Sequence, residues 1–139
     1  MKRVVVTGMG ALTPIGNNLE SFWSNVKAGK SGGGPITRFD TTKFKSHFAC
    51  ELKDFNVEDY IPRNEARRYD PFTQYALIST AEAIKHANID FDKLNKNRIG
   101  VIWGSGNGGI QTFTEEMIEY TKNDETPRFS PFFIPKIIA

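Results

Sequence analysis

One thiol and two imidazoles, Cys50, His47 and His86, are the side chains best suited to nucleophilic and acid–base work near neutral pH. A working thiolate needs a helix N-terminus or a neighbouring base to lower its pKa. Cys50 sits instead in Phe48-Ala49-Cys50-Glu51-Leu52-Lys53, whose alternation predicts a half-buried strand, so it reads as a small buried hydrophobe. His47 precedes that strand, and His86 closes a helix beside Lys85, where a cation suits the helix dipole. Neither has the spacing to thiols or acids that a metal site requires. The sequence therefore predicts no catalytic residue, no metal and no cofactor of its own.

Two glycine-rich turns offer binding chemistry. Thr7-Gly8-Met9-Gly10-Ala11-Leu12-Thr13-Pro14-Ile15-Gly16 follows an apolar run, as a dinucleotide loop would. Such a loop must open directly into a helix so that its N–H groups meet a pyrophosphate. Here Thr13 holds the third glycine's place, Pro14 follows, and the next helix begins only near Leu19. A tight structural turn is the better reading. Gly104-Ser105-Gly106-Asn107-Gly108-Gly109 is richer in glycine and stands between a predicted strand and a predicted helix. It suits either close backbone packing or close approach of a ligand, and Asn107 is its one substantial side chain.

Charge adds a third candidate. Eighteen basic and sixteen acidic side chains leave a net charge of +2, which argues for no polyanionic partner from the total. The basic residues cluster, however, at Arg63, Arg67 and Arg68. On a helix, Arg63 and Arg67 share a face. A solvated surface is one reading, and a docking patch for an acidic partner is the other.

These candidates need a scaffold. A chain of 139 residues fits one domain with a core of its own. The single cysteine suits a reducing compartment, no stretch approaches the length of a membrane span, and the chain reads as soluble and cytoplasmic. Arg3–Thr7 and Ile99–Trp103 predict strands buried on both faces. Leu19, Phe22, Trp23 and Val26 predict a helix capped by Asn18 and stopped by Gly29. Asp70-Pro71 predicts the start of a helix running to about Ala87, apolar on most sides and therefore buried, with Ala76, Ala81, Ala83 and Ala87 allowing close packing. A further helix carries Phe113, Met117 and Tyr120, and Ser130-Pro131 opens a last one. Strands alternating with helices predict an α/β fold with a mainly parallel sheet.

Taken together, Val4-Val5-Val6-Thr7-Gly8-Met9-Gly10, Thr13-Pro14-Ile15-Gly16, Arg38-Phe39-Asp40, Asp54-Phe55, Arg67-Arg68-Tyr69-Asp70, Ile99-Gly100, Gly104–Gly109 and Ser130-Pro131-Phe132-Phe133-Ile134-Pro135 resemble the leading part of the β-ketoacyl-ACP synthase II family. The resemblance implies a thiolase-like layered α/β fold, of which this chain is the N-terminal half, incomplete and working as a homodimer. It implies a decarboxylative condensation of an enzyme-bound acyl chain with malonyl-ACP, and acyl carrier protein as partner. The family's catalytic cysteine and two histidines would fall beyond Ala139, so residues 1–139 are expected to form part of a β-ketoacyl synthase N-terminal domain that stops before the nucleophile, inactive alone and completed by the remaining part of the same synthase.

The resemblance assigns Asn107 to the end of the acyl pocket, where many members carry an aliphatic residue. It assigns Phe133 to an aromatic that reaches the partner subunit's pocket. Arg67 and Arg68 match carrier-docking positions, with Arg63 and Arg128 nearby, while Asn64 and Phe129 stand where the family has basic residues and imply a weaker patch. Two other readings fit parts of the sequence: a non-enzymatic carrier-binding or dimerisation module, and an NAD(P)-binding domain using Gly8–Gly16.

Overall fold

The computed structural model describes residues 3–138, which group into two compact units. The first runs to Phe55 and includes Ile78–Ile89. Its first helix, α1 (Leu19–Lys27), is capped as the sequence predicts, with the Asn18 side chain accepting from the Ser21 N–H. It ends in a Schellman turn: Lys30 N–H donates to the Asn25 carbonyl and Gly29 N–H to that of Val26, with Gly29 at φ +64°. Two short strands, β1 (Gly34–Pro35) and β2 (Phe48–Ala49), pair antiparallel, Gly34 opposite Ala49 and Pro35 opposite Phe48. The latter part of α3 (Pro71–His86) and the residue after it provide a ridge of small residues, Ser79, Ala83 and Ala87. Gly8 and Gly10 lie so close to it that a Cβ on Gly10 would overlap the Ser79 carbonyl oxygen.

The second unit takes in Asn56–Leu77 and the residues from Asp90 onward. It holds α2 (Arg63–Ala66), the start of α3, α4 (Ile110–Lys122) and α5 (Phe133–Ile137), with three single 3₁₀ turns. Ile61, Ala66, Asp70 and Thr112 are its buried side chains among the described residues. Asp70 does what its place before Pro71 predicts, accepting from the Phe72 N–H at 3.3 Å. Its other oxygen reaches the first turn of α4. There it accepts from the Thr112 N–H at 2.9 Å and from the Thr112 hydroxyl at 2.6 Å. The N-cap of α4, Gly109, has no side chain, so one carboxylate caps two helices.

Several expectations are corrected. Arg3–Thr7 and Ile99–Trp103 form no ladder among the described residues, and β2 ends at Ala49. Strand structure belongs to pairs of segments, because each N–H and C=O needs a neighbour to bond. With none beside them, Val4 is 95% and Ile102 99% exposed rather than buried. The one ladder present is antiparallel, so the described residues contain no parallel sheet. The helix after Asp70 is half-buried along most of its length, with only Ile78 buried. Cys50 is exposed, not a small core residue, since the alternation that would bury it stops one residue before it. Arg63 and Arg67 occupy a single helical turn rather than the face of a longer helix, and the last helix starts at Phe133, three residues after Ser130.

Candidate functional site

The arginine turn and the aromatic C-terminal segment belong to the same unit, and each arginine has a different setting. Pro62 precedes α2, whose carbonyls close a turn that leaves Arg63, Arg67 and Arg68 exposed. Arg63 Nε lies 3.5 Å from a Glu58 carboxylate oxygen, a solvated pair that partly spends its charge. The Arg68 guanidinium stands over the Phe132 ring, 5.7 Å from its centroid. Arg67 has no such partner among the described contacts and presents its charge outward. Arg128 is exposed too, on the rim of a small cleft formed with Glu116, Glu119, Tyr120 and Phe129. Glu116 there accepts from the Ser130 N–H and Glu119 from the Asn123 side chain. Two cations, Arg67 and Arg68, thus remain free to meet an anionic surface, one of them braced on an aromatic ring.

Phe133, the first residue of α5, is half-buried in a column of rings. It stacks on Phe129 at 5.1 Å between centroids and 14° between planes, and on Phe113 of α4 at 6.2 Å and 20°. Tyr120 extends the column by stacking on Phe129 at 5.6 Å. Sequence reasoning missed this arrangement. Its only trace was the density of aromatic residues between Phe113 and Phe133, at spacings that no single helix or strand would bring together.

Asn107 lies exposed in the glycine-rich hexad, preceded by Gly104 and Gly106, beside which there is open space. The other end of the hexad is structural. Gly108 takes φ +58° and donates to the Ser105 hydroxyl at 3.1 Å. Gly109 donates to the Ile137 carbonyl at 3.2 Å, and a Cβ on it would overlap the Lys136 carbonyl oxygen. The packing purpose is met at one end, where Gly109 seats α4 against α5, while the space beside Gly104 and Gly106 is open. The Asn107 loop and the helix carrying Phe133 are tied at that point.

In the first unit, the glycine turn is not a nucleotide loop. Alternate N–H groups along it are already bonded: Met9 to His86 Nδ1 at 3.0 Å, Ala11 to Glu82 Oε2 at 2.8 Å, and Thr13 to the Gly16 carbonyl at 2.9 Å. Glu82 also accepts from Leu19 N–H at 2.8 Å, so a carboxylate stands where a phosphate would have to sit. His86 Nδ1 accepts the Met9 N–H, so at this helix end the ring serves as an acceptor for the loop. His47 pairs with the Thr41 hydroxyl at 3.2 Å. Neither histidine approaches Cys50 as a catalytic base would. Among the described residues no cluster of His, Cys, Asp or Glu could hold a metal, and no helix is long and apolar enough to cross a membrane.

Comparison with known proteins gives a consistent answer. The description "Beta-ketoacyl synthase, N-terminal domain" matches residues 1–139. A 3-oxoacyl-acyl-carrier-protein synthase 2 of Staphylococcus aureus (strain COL) is 50% identical over 138 residues, which is 99% of this chain and 33% of that protein. The chain thus spans about a third of the length of the curated relatives it matches. Among solved structures, the ishigamide ketosynthase/chain length factor superposes with a TM-score of 0.88 at 28% identity, over 99% of this chain and 34% of that one. A type II polyketide ketosynthase in complex with its acyl carrier protein superposes with a TM-score of 0.76 at 27% identity, over 99% and 36%. The architecture is that of the first third of a ketosynthase, the thiolase-like fold.

Proposed function

The chain belongs to the β-ketoacyl synthase family, as N-terminal domain sequence, and from that premise we propose that it is the N-terminal portion of an elongating β-ketoacyl-ACP synthase, a cytoplasmic homodimer of fatty-acid synthesis. The observation that carries the proposal is the unbroken match over residues 1–139. In this reading a cysteine thiolate supplied by the rest of the synthase attacks the thioester carbonyl of an acyl-ACP. The carrier leaves as its free thiol. Malonyl-ACP then loses carbon dioxide, and the electron pair released at its α-carbon attacks the enzyme-bound acyl carbonyl. The enzyme thiolate departs, leaving a β-ketoacyl-ACP. Neither Cys50 nor His47 nor His86 takes part, in keeping with their separate surroundings.

The residues present here do the supporting work. Arg67 and Arg68, with Arg63 and Arg128 less strongly, dock the acidic carrier protein, where opposite charge speeds and orients encounter. Support comes from their exposure and from the carrier complex of a structural relative. Asn107 and Phe133 line the far end of the acyl pocket, Phe133 reaching toward the partner subunit. Arg3–Thr7 and Ile99–Trp103, which form no ladder here, would each become a strand by pairing with segments of the rest of the synthase, as a mainly parallel sheet requires. Their bare apolar side chains support this. Bound to a complete synthase, the chain should contribute to condensation of acyl-ACP with malonyl-ACP. The isolated chain should not turn over, and condensation by it alone would refute the assignment of catalysis to the remainder.

A further inference from the structure

We propose that Phe129 is a positioning residue for acyl-length selection, acting through the ring of Phe133. The inference rests on the reading of Phe133 as a wall of the acyl pocket. Phe133 is the first residue of a five-residue helix, and no side chain caps that helix. Its ring instead stacks, nearly parallel, on both Phe129 and Phe113, with interplanar angles of 14° and 20°. Phe129 is in turn held by Tyr120 at 28°. Parallel rings at these separations lie in the favourable range for offset stacking, and each ring restricts the tilt of the next.

The two neighbours of Phe133 are not equivalent. Phe113 is fixed on α4, a thirteen-residue helix. Phe129 sits in the irregular stretch between α4 and α5, at 39% exposure, and has the shorter centroid distance of the two. An aromatic side chain here also replaces the cation that the family resemblance leads one to expect. A basic residue at this position would enlarge a docking surface, whereas a phenyl ring adds nothing to docking and closes one side of Phe133. At this position the side chain thus serves the ring of Phe133 rather than an anionic partner.

The experiment uses the complete synthase that contains this chain, with octanoyl-ACP and myristoyl-ACP as primers and malonyl-ACP as extender. Removing the supporting ring with Phe129→Ala or Phe129→Leu should let Phe133 tilt and deepen the pocket. The ratio of kcat/KM for myristoyl over octanoyl primer should rise about tenfold, on the scale of one methylene in an apolar pocket. Phe129→Tyr keeps the ring and should keep the parent ratio, while Phe133→Ala should reproduce the rise. Because the readout is a ratio, a general loss of folded enzyme cancels from it. If Phe129→Ala and Phe129→Leu both leave the ratio at the parent value, the inference is overturned even though the synthase is active. If the parent synthase condenses neither primer, the functional reading itself fails, and this inference with it.

Discussion

Thr112 is held by Asp70 through both its backbone N–H, at 2.9 Å, and its hydroxyl, at 2.6 Å, across 42 residues of sequence. The carboxylate is 3% exposed and also receives the Phe72 N–H, so it joins the first turns of α3 and α4. Asp70→Ala should lower stability by roughly 2–4 kcal/mol, since it leaves buried donors at two helix starts without acceptors. Thr112→Val should cost about 1 kcal/mol in the parent and much less once Asp70 is gone. Urea unfolding of the two single variants and the double variant checks this, and fully additive costs would show that the pair is not coupled.

The glycine turn should reject nucleotides. Titration with NADH or NADPH in a calorimeter should show no saturable heat, because Glu82 and His86 already hold alternate N–H groups of the loop. Gly10→Ala should be severely destabilising, by about 3 kcal/mol or more, as the methyl group would meet the backbone of α3 rather than a side chain able to move.

Charge reversal should separate the arginines. Arg67→Glu and Arg68→Glu should raise the KM for acyl-ACP about tenfold at low salt with kcat nearly unchanged, and the difference should shrink as salt screens the encounter. Arg63→Glu should do less, because Glu58 already engages that side chain. Steady-state kinetics of the complete synthase at two ionic strengths reads both effects.

Acid should weaken the fold through three surface carboxylates. Asp40 is held below the usual carboxylate range by the backbone N–H and hydroxyl of Thr42, Glu51 by the Thr37 hydroxyl, and Asp90 by Lys93. A depressed pKa contributes stability above the unfolded-state pKa, and that contribution is lost as pH falls through the folded-state value. Thermal midpoints should therefore decline between about pH 5 and pH 2, and the decline should be shallower when Asp40→Asn, Glu51→Gln and Asp90→Asn are combined. An unchanged slope in the triple variant would assign the acid sensitivity to other groups.

Helices were legible wherever a local signal determines them. The Asn18 cap, the Gly29 stop and the Asp70-Pro71 start all act within one turn, and α1 and α3 fall almost where those signals put them. Arg3–Thr7 and Ile99–Trp103 were not legible in the same way, because a ladder depends on a second segment that periodicity cannot supply. At the candidate site, exposure of the arginines follows from their chemistry. The ring column does not, since Phe113, Tyr120, Phe129 and Phe133 come from two helices and an irregular stretch, and their meeting depends on how Gly109 seats α5. Asp70 lay between: its duty to α3 was local and readable, and its duty to α4 was not.

The bonds that fix Met9, Ala11 and Leu19 to α3 span 77, 71 and 63 residues. On a ribosome, where the N-terminus emerges first, the opening segment cannot dock until Glu82 and His86 have been made and have cleared the exit tunnel. At ordinary rates of synthesis, about 5–20 residues per second, Met9, Ala11 and Leu19 wait for several seconds with their final partners unmade, and Val4, Val5 and Val6 wait beside them in solution. A β-branched apolar triplet in that position is an attractive client for a nascent-chain chaperone. The yield of this protein should thus depend on translation speed between the codons for Met9 and His86 as much as on the stability of the finished fold.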